Sequence, residues 1–182
     1  MHIILIGLRG AGKTTVGREL AAQLRRPFID LDDVVVRRLG AVSVREVFSA
    51  VGTGRGETAW RTGEAEALDA LLDAPLATSV IALGSGAPMV QEIARRLRRE
   101  REARRIIVVH LRCASAVAAV RLAAAPGDRT SLTGRGIVEE LESLEQARTP
   151  RYSELGDLEV DASANADVVL QRVVAALSNI AA

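Results

Sequence analysis

The segment at residues 7–14 constrains the fold of this chain more than any other part of its sequence. It reads Gly-Leu-Arg-Gly-Ala-Gly-Lys-Thr and matches the phosphate-binding pattern G-x-x-x-x-G-K-[ST] at every fixed position. A short β-branched apolar run at residues 2–6 precedes it, and apolar residues recur at helical spacing over residues 14–24. Strand, glycine loop and helix are the context that this loop requires, so the segment predicts a nucleotide-binding α/β fold.

Lys13 is the only lysine in the chain, which otherwise uses arginine for positive charge. A compact ammonium on a flexible stem can reach between the β- and γ-phosphates from beneath a tight loop. The Thr14 hydroxyl is placed to bind Mg²⁺, and the start of the following helix presents its positive end to the phosphates. We therefore expect a nucleoside triphosphate with Mg²⁺ as the ligand. The residues expected to hold the nucleotide are Gly10, Ala11, Gly12, Lys13, Thr14 and Thr15.

The remaining pattern predicts strands that alternate with helices. Further strands are expected near residues 27–30, 79–83, 105–111 and 157–160. Strands separated by helices imply a three-layer α/β/α sandwich around a five-stranded parallel sheet, of the P-loop NTPase type. The stretch at residues 123–136 is typical of a mobile lid. Helical patterns occupy residues 14–25, 31–39, 43–50, 57–73, 88–101, 114–122, 136–148 and 165–180.

A carboxylate cluster follows the second predicted strand, where Asp30, Asp32 and Asp33 stand almost together. In a P-loop fold this strand end lies opposite the phosphates, so one carboxylate can hold Mg²⁺ through water and another can accept a proton from a substrate hydroxyl. The alternative is a helix cap with acidic residues in the first helical turn. Both interpretations can be correct at once, and Asp33 is then the residue whose role is structural.

Length and composition exclude several classes of protein. A chain of 182 residues with 48% hydrophobic residues suits one domain with a buried core. No apolar run approaches membrane-spanning length and no signal peptide is apparent, so we expect a cytoplasmic protein with no membrane partner.

The net charge of +1 gives no argument for nucleic-acid binding. The basic run at residues 95–105 is interpreted as a solvated helix face, with an RNA-binding surface as the alternative. Cys113 is expected to pack as a small hydrophobic residue, and a monomer is the default.

Further motifs follow the carboxylate cluster, at residues 60–64, 84–86, 128–129 and 148–152. Taken with the P-loop, their order along nearly the whole chain resembles the shikimate kinase family. That family runs from the P-loop through D-x-D, a phenylalanine, F-R-x-x-E, G-G-G, an R-P-L-L-like lid and R-x-P-x-Y to a final V-D. The matching positions here are residues 7–17, Asp30 and Asp32, Phe48, Arg61 and Glu64, Gly84 and Gly86, Arg129, Arg148, Pro150, Tyr152 and Asp161.

The resemblance implies a Mg²⁺-dependent kinase that transfers the γ-phosphoryl group of ATP to the 3-hydroxyl of shikimate. It assigns Asp30 to Mg²⁺ and Asp32 to the substrate hydroxyls, where Asp32 would orient or deprotonate the nucleophile. Arg61 and Arg148 match the pair that grips the shikimate carboxylate, and a planar guanidinium suits that task. Lys13, Asp32 and Arg129 are accordingly the expected catalytic residues.

Further residues take roles from the same resemblance. Glu64 would steady Arg61, and Arg129 would swing in with the lid to neutralise the transferring phosphoryl charge. Arg121 is expected to stack on adenine. The substrate-binding segment is placed at about residues 31–63 of a single kinase domain spanning residues 1–182. Besides the arginines and Asp32, the residues expected to line the substrate pocket are Phe48, Trp60, Gly84, Ser85 and Gly86.

The chain departs from the family pattern at three places. Ser85 replaces the middle glycine of G-G-G, where a side chain takes space or adds a hydrogen bond. The lid carries Thr130 and Ser131 in place of Pro-Leu. The stretch between Phe48 and Trp60 is longer than usual, and tryptophan replaces phenylalanine before the arginine. These departures leave two alternatives open: a kinase for another carboxylated polyol, such as gluconate or a cyclitol acid, and a non-catalytic sensor of nucleotide or metabolite.

Overall fold

The computed structural model describes residues 1–44, 46–47, 55–74, 78–124 and 136–181. Five strands form one sheet in the order β2-β3-β1-β4-β5, and every neighbouring pair is parallel. The predicted parallel sheet is therefore confirmed, with strand ends that differ from the predicted ones by at most one residue. The strands are β1 (His2–Ile6), β2 (Phe28–Asp30), β3 (Val80–Ala82), β4 (Ile106–Arg112) and β5 (Leu158–Asp161).

Helices connect the strands and cover both faces of the sheet. They are α1 (Lys13–Leu24), α2 (Leu31–Arg38), α3 (Arg55–Asp73), α4 (Gln91–Glu102), α5 (Ser115–Ala124), α6 (Ile137–Leu155) and α7 (Ala166–Ala181), with a 3₁₀ turn at Ala87–Met89.

The sequence pattern ended α6 too early. It stopped the helix at residue 148, whereas the structure continues to Leu155 with Pro150 inside the helix. Proline cannot donate to the preceding turn, and this normally breaks a helix. Here Tyr152 and Leu155 are buried beyond the proline, and their packing favours continuation. Of the predicted helix at 43–50, residues 44, 46 and 47 are helical, while residues 45 and 48–50 lie outside the described residues.

The residues of β1 show why the sheet is a middle layer. Ile3 and Leu5 belong to one hydrophobic cluster, while Ile4 and Ile6 belong to the other. Successive side chains of a strand point to opposite faces, so both faces of β1 are buried. Helices α1, α5 and α7 contribute to the first cluster, whereas α2, α3 and α4 contribute to the second. The predicted three-layer arrangement is confirmed.

The basic run lies on α4 and the turn after it, and most of its arginines pair with carboxylates. Arg96 bridges to Asp73 on α3 at 2.6 Å, and Arg101 reaches Asp157 at 2.7 Å. Glu100 is only 1% exposed and accepts a forked pair of hydrogen bonds from Arg105, so it is not the solvated residue that the sequence suggested. Hydrogen bonding by Arg105 lowers the pKa of Glu100.

Cys113 is buried in the first hydrophobic cluster, as expected of a small hydrophobic residue. Within the described ranges, no helix combines the length and the apolar character that crossing a bilayer requires.

Candidate active site

The P-loop joins β1 to α1 and turns on glycines with positive φ. Gly10 has a φ of +76°, and a Cβ on it would lie 2.6 Å from the Ala118 carbonyl oxygen. Only glycine fits a left-handed turn packed this closely against α5. Gly12 has a φ of 90° and is the N-cap of α1, where no side chain makes a capping hydrogen bond. The first-turn N–H groups of α1 are therefore not occupied by a cap and suit an anion.

Lys13 folds back over its own loop. Its Nζ donates hydrogen bonds of 2.9 Å to the carbonyl oxygens of Gly7 and Leu8. The ammonium is thereby held beside the turn that would receive the phosphates. Ala11 is buried at the turn, and Thr15 is exposed on the first turn of α1.

The two predicted metal ligands lie together although α1 carries one and β2 the other. The Thr14 hydroxyl donates a 2.8 Å hydrogen bond to Asp30 Oδ2. Neighbouring oxygens around an octahedral Mg²⁺ are about 2.9 Å apart, given metal–oxygen distances of about 2.0–2.1 Å. The pair therefore fits two adjacent positions of such an ion.

Asp30 has a second contact, because its Oδ1 accepts from the Asp32 backbone N–H at 3.2 Å and caps α2. Among the described residues, no group of three His, Cys, Asp or Glu side chains could enclose a metal ion. Mg²⁺ in kinase sites is commonly held by one or two protein ligands with the substrate phosphates, which matches this donor set.

Asp32 lies in the first turn of α2 with its carboxylate pointing toward the turn after β3. Its Oδ1 is 2.5 Å from the position that a Cβ on Gly84 would take. Burial, then the charges of Asp30 and Glu64, raise the pKa of Asp32 to about 7, while Lys13 opposes the shift. A carboxyl with this pKa can accept a proton near neutral pH.

Glu64 and Arg61 form an ion pair on α3. Arg61 Nη1 donates to Glu64 Oε2 at 2.8 Å, and Glu64 is fully buried. Burial raises the pKa of Glu64, and the charge of Arg61 opposes this. Glu64 Oε1 and Asp32 Oδ1 are both buried without a hydrogen-bond partner in the described part of the chain. Both oxygens lie against Gly84, so a side chain at residue 84 would meet two carboxylates.

The Gly-Ser-Gly turn brings the two predicted carboxylate-binding arginines together. A Cβ on Gly86 would lie 2.5 Å from both Nη atoms of Arg61, so the guanidinium occupies the place of a side chain. Arg148, on α6, donates from Nη1 to the Ser85 hydroxyl oxygen at 3.1 Å. Tyr152, one turn further along α6, donates its hydroxyl to the Ser85 carbonyl at 2.6 Å. Arg61 and Arg148 thus approach the turn from α3 and α6.

Arg121 lies between the P-loop and the segment after β5. Its Nη1 donates to the carbonyl oxygens of Ala162 at 2.8 Å and Gly10 at 3.4 Å, and its Nη2 donates to Ala164. These hydrogen bonds hold the Arg121 guanidinium beside the P-loop. The adenine contact stays a prediction.

The structure leaves the roles of three predicted site residues, Trp60, Phe48 and Arg129, as predictions. Trp60 is 3% exposed, belongs to the second hydrophobic cluster and makes a hydrogen bond to Glu64. Its place in the wall of the substrate pocket stays a prediction. Phe48, Arg129 and most of the predicted lid lie outside the described residues.

Sequence reasoning missed two contacts that the structure places at the site. Arg9, a variable position of the P-loop pattern, pairs with the buried Glu140 of α6 at 3.1 Å. The Tyr152 hydroxyl fixes the Ser85 carbonyl. Arg9 and Glu140 are 131 residues apart, and no local pattern links them. Tyr152 was noted only as part of a motif.

One sheet edge carries a phosphate loop, a hydroxyl–carboxylate pair whose spacing fits a metal ion, and a carboxyl group with a pKa of about 7. This arrangement is typical of P-loop kinases, the class to which the fold and the site assign this protein. The family model described as shikimate kinase matches residues 9–178. The chain therefore belongs to the shikimate kinase family, which confirms the resemblance seen in the sequence.

Individual relatives agree over almost the whole chain. The chain is 34% identical over 179 residues to shikimate kinase 2 of Yersinia enterocolitica, covering 97% of this chain and 95% of that protein. It is also 34% identical to shikimate kinase of Nitratidesulfovibrio vulgaris, with the same coverage.

Solved structures give the same result. Shikimate kinase of Acinetobacter baumannii, in complex with shikimate, superposes with a TM-score of 0.82 at 30% identity, covering 98% of this chain and 93% of that one. Shikimate kinase of Bacteroides thetaiotaomicron gives a TM-score of 0.83 at 27% identity, with 98% of both chains covered. A gluconokinase of Sinorhizobium meliloti shares the fold at 17% identity, with a TM-score of 0.60 and 98% and 92% coverage.

Proposed function

We propose that this chain transfers the γ-phosphoryl group of ATP to the 3-hydroxyl of shikimate, giving shikimate 3-phosphate and ADP, with Mg²⁺ as the metal. The observation that carries the proposal is the approach of Arg61 and Arg148 to the turn at residues 84–86, next to Asp32. A small substrate that bears both a carboxylate and a ring hydroxyl is the ligand these groups suit. Membership of the shikimate kinase family supports the same substrate.

The carboxylate is the orienting handle of the substrate. A guanidinium offers parallel N–H donors to both oxygens of a carboxylate, which fixes direction as well as position. The Arg61 guanidinium is held by Glu64 at 2.8 Å, and that of Arg148 by the Ser85 hydroxyl at 3.1 Å. Side chains held in this way lose little further freedom when the substrate binds.

Asp32 is the group placed to handle the hydroxyl proton. Its carboxyl group lies against Gly84, which belongs to the turn that the two arginines approach. The pKa of Asp32 is about 7. In its ionised form it accepts the proton from the attacking hydroxyl or holds that hydroxyl in line with the γ-phosphorus.

The P-loop side of the site receives the triphosphate. Lys13 exchanges its hydrogen bonds with Gly7 and Leu8 for phosphate oxygens, and the start of α1 supplies N–H groups. Thr14 and Asp30 would hold the metal. When bound, Mg²⁺ neutralises charge on the phosphate oxygens. Arg129, in a lid at about residues 123–136, is proposed to add positive charge on closure.

A coupled assay of ADP release tests the proposal. Purified protein with ATP and Mg²⁺ is compared with shikimate, with gluconate and with no acceptor, and Lys13→Ala serves as the blank. Arg95→Ala, which changes a charged and exposed residue of α4, is the matched control and should retain full activity.

Release that requires shikimate, is absent in Lys13→Ala and persists in Arg95→Ala is the expected result. Release with gluconate alone would favour a kinase of another polyol acid. ATP binding without acceptor-dependent release from any polyol acid would favour the sensor and contradict the proposal.

A further inference from the structure

Ser85 occupies the only position of the 84–86 turn that has room for a side chain directed at Arg148. The places of a Cβ on Gly84 and on Gly86 are taken by the carboxylates of Asp32 and Glu64 and by the guanidinium of Arg61. Ser85 is half-buried, and its side chain contacts Arg148 instead. The added hydroxyl therefore lies beside the guanidinium pair without displacing either carboxylate.

The position of this hydroxyl is fixed from α6. Arg148 holds the side-chain oxygen at 3.1 Å, and Tyr152 holds the carbonyl of the same residue at 2.6 Å. These two residues lie one turn apart on the same face of α6. Because backbone and side chain of Ser85 are both bound to one helix, the hydroxyl cannot turn away from Arg148 without breaking a contact.

The direction of the Arg148–Ser85 hydrogen bond leaves the Ser85 hydroxyl with its own proton to donate. A guanidinium has only donors, so the Ser85 oxygen must accept from Arg148 and keeps its own O–H to donate. Among the described residues, the Ser85 hydroxyl makes one hydrogen bond, which it accepts from Arg148, and its own O–H has no acceptor. An anion bound by Arg148 would bring an acceptor to the free donor.

We infer that Ser85 is a specificity-determining residue for the carboxylate of the substrate, which its hydroxyl binds as a further donor beside Arg61 and Arg148. This inference rests on the proposed function. A carboxylate can accept about four hydrogen bonds, so its oxygens have lone pairs for both guanidinium groups and a hydroxyl. Ser85 thus adds to carboxylate binding at a position where glycine offers no side-chain donor.

The test compares side chains at residue 85 by steady-state kinetics. Ser85→Ala and Ser85→Gly remove the hydroxyl, Ser85→Thr keeps it, and Ser178→Ala, at an exposed serine of α7, is the control. Loss of a hydrogen bond to a charged group should raise KM for shikimate by about tenfold to a hundredfold in Ser85→Ala and Ser85→Gly. KM for ATP should stay within twofold, and Ser85→Thr should restore KM for shikimate to within a few-fold of wild type.

A second substrate separates this role from a structural one. With an analogue whose carboxylate is replaced by hydrogen, the Ser85→Ala and wild-type enzymes should have equal KM values, because the donor has no partner. An equal penalty with shikimate and the analogue, or an unchanged KM for shikimate in Ser85→Ala, overturns the inference while the wild-type kinase remains active. Wild-type protein without shikimate-dependent ADP release overturns the proposed function, and this inference with it.

Discussion

The Thr14 hydroxyl donates a 2.8 Å hydrogen bond to the Asp30 carboxylate, joining the first turn of α1 to the end of β2. β3 lies between β2 and β1 in the sheet, and α1 follows β1. The contact therefore links β2 to the helix that follows a strand with which β2 does not pair. It brings a hydroxyl and a carboxylate together at the edge where the P-loop would hold phosphates.

Asp30→Asn should weaken the response to Mg²⁺. Asparagine retains the N-cap of α2, so stability should change little, but it lacks the negative charge that attracts the ion. We expect the Mg²⁺ concentration for half-maximal activity to rise by about tenfold or more, measured at saturating ATP and shikimate. Asp33→Asn, at an exposed neighbour, should leave it unchanged; equal responses in the two variants would remove Asp30 from the metal site.

Asp32→Asn should abolish most of the turnover without loss of ATP binding. Removing a general base typically costs about 10²- to 10⁴-fold in rate. We expect kcat to fall within this range, while the Kd for ATP, measured by calorimetry, stays within a few-fold of wild type. A variant with nearly normal kcat would show that Asp32 neither accepts the proton nor orients the hydroxyl.

The same variant should be more stable than wild type at high pH. Asp32 has a pKa of about 7 in the folded chain against 3.8 in its ordinary state, so the folded state holds the proton more tightly. The protonated Asp32 carboxyl therefore contributes fully to the free energy of unfolding below about pH 4, and this contribution is lost as the pH rises through 7. Asp32→Asn should therefore gain up to about 4 kcal/mol in unfolding free energy above pH 7, and nothing near pH 4. Urea denaturation without Mg²⁺, from pH 4 to 8, measures this difference.

Gly86→Ala should displace Arg61. The new methyl group would meet both terminal nitrogens of that guanidinium at 2.5 Å, so the arginine must move away from the turn. We expect KM for shikimate to rise by about tenfold or more and KM for ATP to remain nearly constant. Gly40→Ala is the control, because φ there is +65° and nothing lies within 4 Å. It should cost about 1 kcal/mol of stability and leave both KM values unchanged.

His110→Gln should make the protein less sensitive to acid. Burial lowers the pKa of His110 below 6.5, and the charge of Glu159, 3.2 Å from Nδ1, opposes this. A depressed histidine pKa leaves stability intact above pH 6.5 and reduces it as the pH falls, because the unfolded chain takes the proton first. We expect a smaller drop in Tm between pH 7 and 5 in the variant. His2→Gln, at a half-buried histidine, should change the slope less; an unaltered slope in His110→Gln would contradict this account.

Much of the site was predictable because it depends on local chemistry. The P-loop follows from glycine spacing and one lysine, and the capping position and acidic first turn of α2 follow from residues 30–33. The role of Trp60 was harder to judge, since a tryptophan beside a site arginine and one buried on a helical stripe give the same pattern. Glu100 was misjudged for a related reason: its burial depends on arginines that fold back over it.

The sequence by itself determined the fold class, the phosphate loop and the types of side chain at the site, because strand and helix periodicity, glycine conformation and residue chemistry act over a few neighbouring residues. Only the tertiary structure decided which distant groups meet. The Ser85–Arg148 bond spans 63 residues. Burial raises the pKa of Asp32, and the charges of Asp30 and Glu64 add to this shift. Such contacts depend on the strand order of the sheet and on the burial it creates, and neither can be read from adjacent residues.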